Sequence, residues 1–410
     1  MAEGHKHVDI TEEALDKLRS LIGTEIGNRP APYLTEANRD AIRHWAEAMG
    51  DRNPIWTDVD YAKGTPWGEL MGPPTILAAF DKLSSGYRGG LPGVHSFFAG
   101  IDWRFNRPVF RNDEIKVRVI FKDLVEKQSS FSRRMFQQIS TVMFVDQKGE
   151  VICEGESWGM RVERGRSKEK GKYNHLTLKT YTKEDIDAVV KAYDDEVFRG
   201  AKPQYWEDVN IGDELPPIIK GPYSSTNAVA YEMARGGLYI KAHGFWYDYL
   251  KRHPALGELN DLGVPEPPER VHWDSAYARK VGVPAAYDYG PERIAWLGNL
   301  LTNWVGDDGF VRRLMVRVTS GAWTSAARRT PAARPRWRCH RRAGGCRRRA
   351  TGGGARADGA CGPVRPAPHM LQKVSSNSIS LSASRGRASW PNTVKRTFSA
   401  YLLALISGMT

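Results

Sequence analysis

Apolar residues recur along this chain with two different periods, and the places where the period changes mark its elements. Ile10, Leu15, Leu18 and Leu21 fall on one helical face, with Thr11 placed as an N-cap and acids in the first turn, which predicts a helix over 10–21. A second amphipathic stretch, 38–49, is closed by Gly50, so Asp51 emerges just past a helix C-terminus on an irregular loop. From Pro73 onward Ile76, Leu77, Phe80 and Leu83 form one apolar stripe ending near Gly86; a proline-rich entry before such a stripe predicts a buried central helix. The period then switches to two in 101–105, 115–121, 132–145 and 151–162, with turn residues at 111–113 and 146–149. That is the pattern of an antiparallel sheet of long strands.

A polar, charged run at 164–182 reads as a linker, and the helical period returns at 183–193. A helix is expected over 228–235, then an apolar helix from Pro291 through Trp296, Leu300 and Trp304, and a first return strand at 312–318. The order helix, loop, apolar helix, strand therefore occurs twice. Sequence repeats with it: GDRNPIWTDVDYA at 50–62 is echoed by VHWDSAYA at 271–278, so that Ile55, Trp56, Asp58, Tyr61 and Ala62 answer to Val271, His272, Asp274, Tyr277 and Ala278. Four segments result: a first repeat at 1–163, the linker, an incomplete second repeat at 183–320 with an insertion at 238–270, and a distinct tail at 321–410.

The first copy resembles the hydratase motif of the MaoC-like acyl-CoA dehydratases, including those with an N-terminal FAS1-like dehydratase domain. That motif reads Gly-Asp-x-Asn-Pro-Ile-His-x-Asp followed by Tyr-Ala. Gly50, Asp51, Asn53, Pro54, Ile55 and Asp58 match it, while Trp56 stands where the family has a catalytic His. The resemblance implies an α+β fold of two hotdog repeats, each a central helix wrapped by antiparallel sheet, forming a pseudo-dimer whose second repeat is truncated. It also implies enoyl-CoA hydratase or 3-hydroxyacyl-CoA dehydratase chemistry, with coenzyme A as part of the substrate and no separate cofactor. In such a site a carboxylate and an imidazole share the proton of a water, and a backbone N–H at the start of the central helix meets the enolate oxygen.

Carried over by position, the resemblance names Asp51, His272 and Gly290 as catalytic and Trp56, Asn53 and Tyr289 as substrate-binding. Repeat one has Asp51 but Trp56 for the imidazole, and Pro73 and Pro74 at its helix entry offer no N–H. Repeat two has His272 and Gly290, but its Asp position falls near Gly237. A substitute carboxylate is sought among Asp248, Glu258, Asp261, Glu266 and Glu269. Asp51 has a simpler reading as an Asx-turn residue bonding loop amides, and Asp58 and Asp274 read as caps of the next helical turn. Arg104, Arg107 and Arg111, clustered on and after one strand, suit the phosphates of coenzyme A. A non-catalytic acyl-CoA-binding subunit and a hotdog thioesterase are the alternatives, because fold alone does not fix the reaction. Pseudo-dimeric repeats leave room for further homo- or hetero-oligomers.

Charge changes the picture only for the tail. The whole chain carries +13, but residues 321–410 hold 15 Arg, 2 Lys and the single acid Asp358, so the body is close to neutral and nucleic-acid binding is not indicated. One cysteine in the body, Cys153, fits a reducing, cytoplasmic setting, and no apolar run is long enough for a membrane span. The histidines and cysteines show no metal-ligand spacing. The tail is built from Arg, Ala, Gly and Pro with no strand periodicity and begins where three more strands are due. It therefore reads as a frameshifted, disordered segment. On that reading Leu300, Leu301 and Trp304 lose part of their cover. Limited proteolysis should remove 321–410 before it cuts the body; a protected tail would show instead that it belongs to the fold.

Overall fold

The computed structural model describes residues 9–318 apart from 27–31, 81–90, 92–93, 129–133, 164–179, 206, 211–212, 238–239 and 282. The expected tail, all but the last residues of the linker and the second half of the first apolar stripe lie outside the described residues.

Local sequence sets the helix ends. Helix α1 (Glu12–Arg19) starts where the Thr11 hydroxyl accepts the Ala14 amide, and it lays Leu15 and Leu18 against Phe121, Leu124 and Phe136 of the sheet. Helix α2 (Arg39–Met49) is capped by Asn38 and stopped by Gly50 in the left-handed conformation at φ 59°, which costs a glycine little. It buries Ile42, Trp45, Ala46 and Met49. A 3-10 turn at Pro54–Trp56 leads to the short α3 (Val59–Lys63). The apolar stripe enters as a 3-10 helix, Pro74–Ala79, where an α-helix is expected; its continuation beyond Phe80 lies outside the described residues.

Four long strands come next: β1 (His95–Phe105), β2 (Lys116–Glu126), β3 (Met135–Val145) and β4 (Val151–Val162). In β3 buried and half-buried residues alternate without interruption, as period two requires. In the second half, α4 (Lys183–Asp194) is followed by α5 (Ser225–Arg235). The insertion holds α6 (His243–Arg252) and a short ladder pairing Glu258–Leu259 with Pro265–Glu266. Then come a 3-10 turn at Pro268–His272, α7 (Ser275–Lys280), α8 (Gly290–Val305) and one strand, β5 (Arg313–Arg317). None of the described helices is long and apolar enough to cross a membrane.

The strands make one antiparallel five-stranded sheet in the order β2-β3-β4-β1-β5, so the second repeat's strand continues the first repeat's sheet. This is the α+β hotdog arrangement in pseudo-dimeric form. Helices α2 and α5, each of 11 residues, pack on one another with Trp45 and Tyr231 in ring contact at 6.3 Å; counted from the helix starts these two residues are equivalent, which marks the pseudo-dyad. A single core spans both repeats and contains Trp45, Trp103, Ile294, Leu300 and Trp304. Leu300 and Leu301 are 1% exposed and Trp304 8%, so the expected loss of cover is not observed. Helix α8 packs on α2, on β1 and on the 3-10 helix Pro74–Ala79, where Thr75 fills the notch at Gly298.

Gly100 lies at a register shift of β1 and has no room for a Cβ, which would meet the Val316 carbonyl of β5 and the Trp158 indole. Gly100→Ala should therefore cost about 1–3 kcal/mol by overpacking, read as a lower urea midpoint at unchanged m-value.

Candidate active site

The two motif copies form two clusters of different chemistry. In repeat one Asp51 follows the left-handed Gly50, and its Oδ1 accepts the Asn53 amide at 3.2 Å while Asn53 Oδ1 accepts the Ile55 amide at 3.2 Å. The loop residues anticipated as functional thus also hold the loop's backbone. Asp51 is buried, and burial raises its carboxyl from 3.8 to about 6, opposed chiefly by Lys220. Lys220 reaches across from the second repeat, donates to the Gly50 carbonyl at 2.6 Å, and is itself held below its ordinary pKa by burial. Trp56 fills the position of the family's imidazole; its indole N–H lies near enough to favour the Asp51 carboxylate but completes no hydrogen bond of ordinary geometry. This cluster has a carboxylate and a lysine, and no imidazole.

Repeat two holds the imidazole. His272 ends the Pro268–His272 turn, and its Nδ1 lies 2.7 Å from the Tyr287 carbonyl. A carbonyl only accepts, so Nδ1 carries the proton and Nε2 is left with its lone pair. Burial, reinforced by Arg235 and Arg293, drives the imidazole from 6.5 to about 3 and keeps it neutral. Its ring stacks on Tyr289 at 3.7 Å, and Tyr289 stacks on Tyr231 at 4.5 Å. Tyr289 is the residue before α8, and its amide donates to the Glu292 carboxylate at 3.2 Å. Gly290, the first residue of α8, stands where a helix leaves its amides without internal partners. A Cβ there would come 2.8 Å from the Phe98 ring of β1, so glycine is also a packing requirement.

The structure thus brings together His272, Tyr289 and Gly290 in one cluster and Asp51, Asn53 and Trp56 in the other. Asp58 and Asp274 cap α3 and α7 by accepting amides of Tyr61 and Tyr277. Of the carboxylates considered for repeat two, Glu269 is buried near Tyr231, Tyr289 and Arg235. Asp248 pairs with Lys251 and Glu266 with Arg270. Glu258 sits in the short insertion ladder, while Asp261 lies in the turn of that ladder, exposed. The cluster also contains a group that sequence reasoning missed: Glu232 of α5, 9% exposed, beside Tyr289, Tyr231 and Arg235. A glycine in the Asp position with a glutamate five residues earlier was its only signal.

The three arginines face different carboxylates. Arg107 spans Asp113, at 2.6 and 3.0 Å, and Asp146, at 2.7 Å; Arg111 pairs with Glu69 at 2.9 Å; Arg104 is exposed, 3.9 Å from Asp102.

A double hotdog with a hydratase-type loop in each half is the class of protein that this fold and site define. Comparison with known proteins agrees. Residues 20–155 match the FAS1-like dehydratase domain region. A UPF0336 protein of Parafrankia sp. (strain EAN1pec) is 30% identical over 125 residues, covering 29% of this chain and 80% of that protein. A protein of Thermomonospora curvata named "Probable enoyl-CoA hydratase alpha subunit" is 26% identical over 163 residues, which is 35% of this chain and 50% of that one. A solved structure described as a MaoC-like dehydratase superposes with a TM-score of 0.52 at 16% identity, covering 94% of this chain and 98% of the other. The chain belongs to the family of proteins with a FAS1-like dehydratase region, which it carries at residues 20–155, and it shares the fold of a MaoC-like dehydratase.

The two shifted groups make opposite contributions to stability with pH. Asp51 binds its proton more tightly folded than unfolded, so its contribution favours folding at low pH and is lost as pH rises from about 4 through about 6. His272 binds its proton less tightly when folded, so its contribution is present above pH 6.5 and lost as pH falls toward 3. Asp51→Asn should gain on the order of 2 kcal/mol over the parent at pH 7 and nothing at pH 4. Urea denaturation at the two pH values checks this; equal differences at both would mean that Asp51 titrates normally.

Proposed function

We propose that the protein is a hydro-lyase that adds water across, or removes it from, the 2,3 bond of an acyl-CoA thioester, with its working site in repeat two. The observation that carries this reading is the neutral His272, with Nε2 free to accept a proton, packed on the residue that precedes the first amide of α8. In the hydration direction the water oxygen bonds to C3 while Nε2 takes one of its protons, and the C2=C3 electron pair moves into the thioester carbonyl as an enolate. The Gly290 amide at the positive end of α8 meets that oxygen. The imidazolium returns the proton to C2, the carbonyl reforms, and one water has been added.

Trp56 supports a different part for repeat one. A buried indole at the imidazole position cannot exchange the proton, so this half holds the acyl or pantetheine chain, and the insertion at 238–270 favours a bulky acyl group. No separate cofactor is required. Arg104 is the arginine of the three with an exposed guanidinium to offer a coenzyme A phosphate.

The full chain should be assayed with a series of trans-2-enoyl-CoA thioesters, following both loss of the conjugated enoyl absorbance and release of free thiol. Hydration with His272→Ala lowering kcat by about 10²- to 10⁴-fold is the expected result. Thiol release would make it a thioesterase, and saturable binding without turnover a binding subunit.

A further inference from the structure

We propose that Glu232 is the catalytic carboxylate of the second site, supplied from one helical turn earlier than the carboxylate of the first. The inference rests on the hydratase reading and names the partner that His272 otherwise lacks.

The molecule carries its own internal equivalence. Helices α2 and α5 have the same length, end at Met49 and Arg235, and are closed by Gly50 and Gly236 at φ 59° and 68°. The amide of Gly50 returns to the Ala46 carbonyl and that of Gly236 to the Glu232 carbonyl, so Ala46 corresponds to Glu232 and Asp51 to Gly237. Repeat one therefore has a small residue on the helix and a carboxylate on the loop, whereas repeat two has the carboxylate on the helix and no side chain on the loop.

The space agrees with this exchange. A Cβ built on Gly237 would lie 2.5 Å from Glu232 Oε2, so the glutamate carboxylate occupies the room into which an aspartate at 237 would extend. Asp51 in repeat one lies near the indole of Trp56, the residue equivalent to His272. Glu232 lies against Tyr289, whose ring stacks on His272, and its longer side chain makes up for its earlier start. The charge pattern fits as well: Arg235, 3% exposed, lies close to both Glu232 and Glu269 and sets a cation beside the carboxylates of a buried site. In the reaction Glu232 accepts the second O–H of the water whose first proton goes to His272, fixing the attacking lone pair toward C3. It gains and loses no proton over the cycle.

The test uses the full chain and an enoyl-CoA that the parent hydrates. Glu232→Gln should lower kcat by about 10²-fold or more with KM within a few-fold, and Glu269→Gln should lower it far less. Relocation provides the discriminating variant: Glu232→Ala with Gly237→Asp restores the arrangement of repeat one and should recover at least about 10-fold over Glu232→Ala alone. Ile240, whose side chain is partly exposed, must also yield to the new aspartate. A counter-ion role for Arg235 would instead lower the melting temperature and show no recovery on relocation. The proposal is overturned if Glu232→Gln turns over like the parent, if Glu269→Gln causes the larger loss, or if relocation recovers nothing. Should Glu232→Gln fail to fold, the comparison of the relocated and alanine variants decides. A parent that hydrates no thioester removes the hydratase reading and this proposal together, whereas a parent that hydrates beside an unimpaired Glu232→Gln removes the proposal alone.

Discussion

Everything in this molecule depends on one short edge pairing, Arg313–Arg317 against Gly100–Arg104. It makes a single sheet of two repeats and draws α8 down onto elements that belong to the other half. Asp102 and Arg313, diagonal neighbours across that seam, add a two-pronged ion pair at 2.6 Å on one arm. Because the seam closes with so few residues, much of the inter-repeat contact is made by helices. The contact of Trp45 with Tyr231 places α2 and α5, and the loops that leave those helices are placed with them.

Two opposite demands meet in those loops. An ionisable side chain in such a loop is held in a dry, fixed setting, and burial there penalises its charge. Each repeat answers with a cation close by, Lys220 beside Asp51 and Arg235 beside Glu232 and Glu269. Lys220 comes from the opposite half of the chain, so the first loop has its charge balanced only when the halves are assembled. Gly290 shows the same dependence in steric form, its close approach to Phe98 tying the start of α8 to the first repeat's sheet.

Much of this was legible in the sequence because the relevant signals are local. Asn38, Gly50 and Thr11 announce helix ends through hydrogen bonds within a few residues, and strand β4 was bounded correctly by period alone. The echo at 271–278 located His272 and the capping role of Asp274. What stayed hidden depends on the third dimension. Whether Arg107 is free depends on Asp113 and Asp146, the second of them 39 residues distant. The cover over Leu300 and Leu301 comes from the first repeat, which a count of missing strands in the second could not anticipate. Glu232 was not legible because it stands on α5 five residues before the aspartate position, and only the folded helix brings its carboxylate to Gly237.

The pairing of Trp56 with His272 as equivalent residues has a consequence for how such a protein changes over generations. In a dimer of identical subunits one gene writes both sites, so every substitution appears twice and losing a base in one site means losing it in both. Joining the halves in one chain removes that symmetry. Each loop then drifts under its own selection, and an indole in one half and an imidazole in the other become compatible within a single polypeptide. The fused chain is free to divide labour, but it can no longer be cut into interchangeable halves.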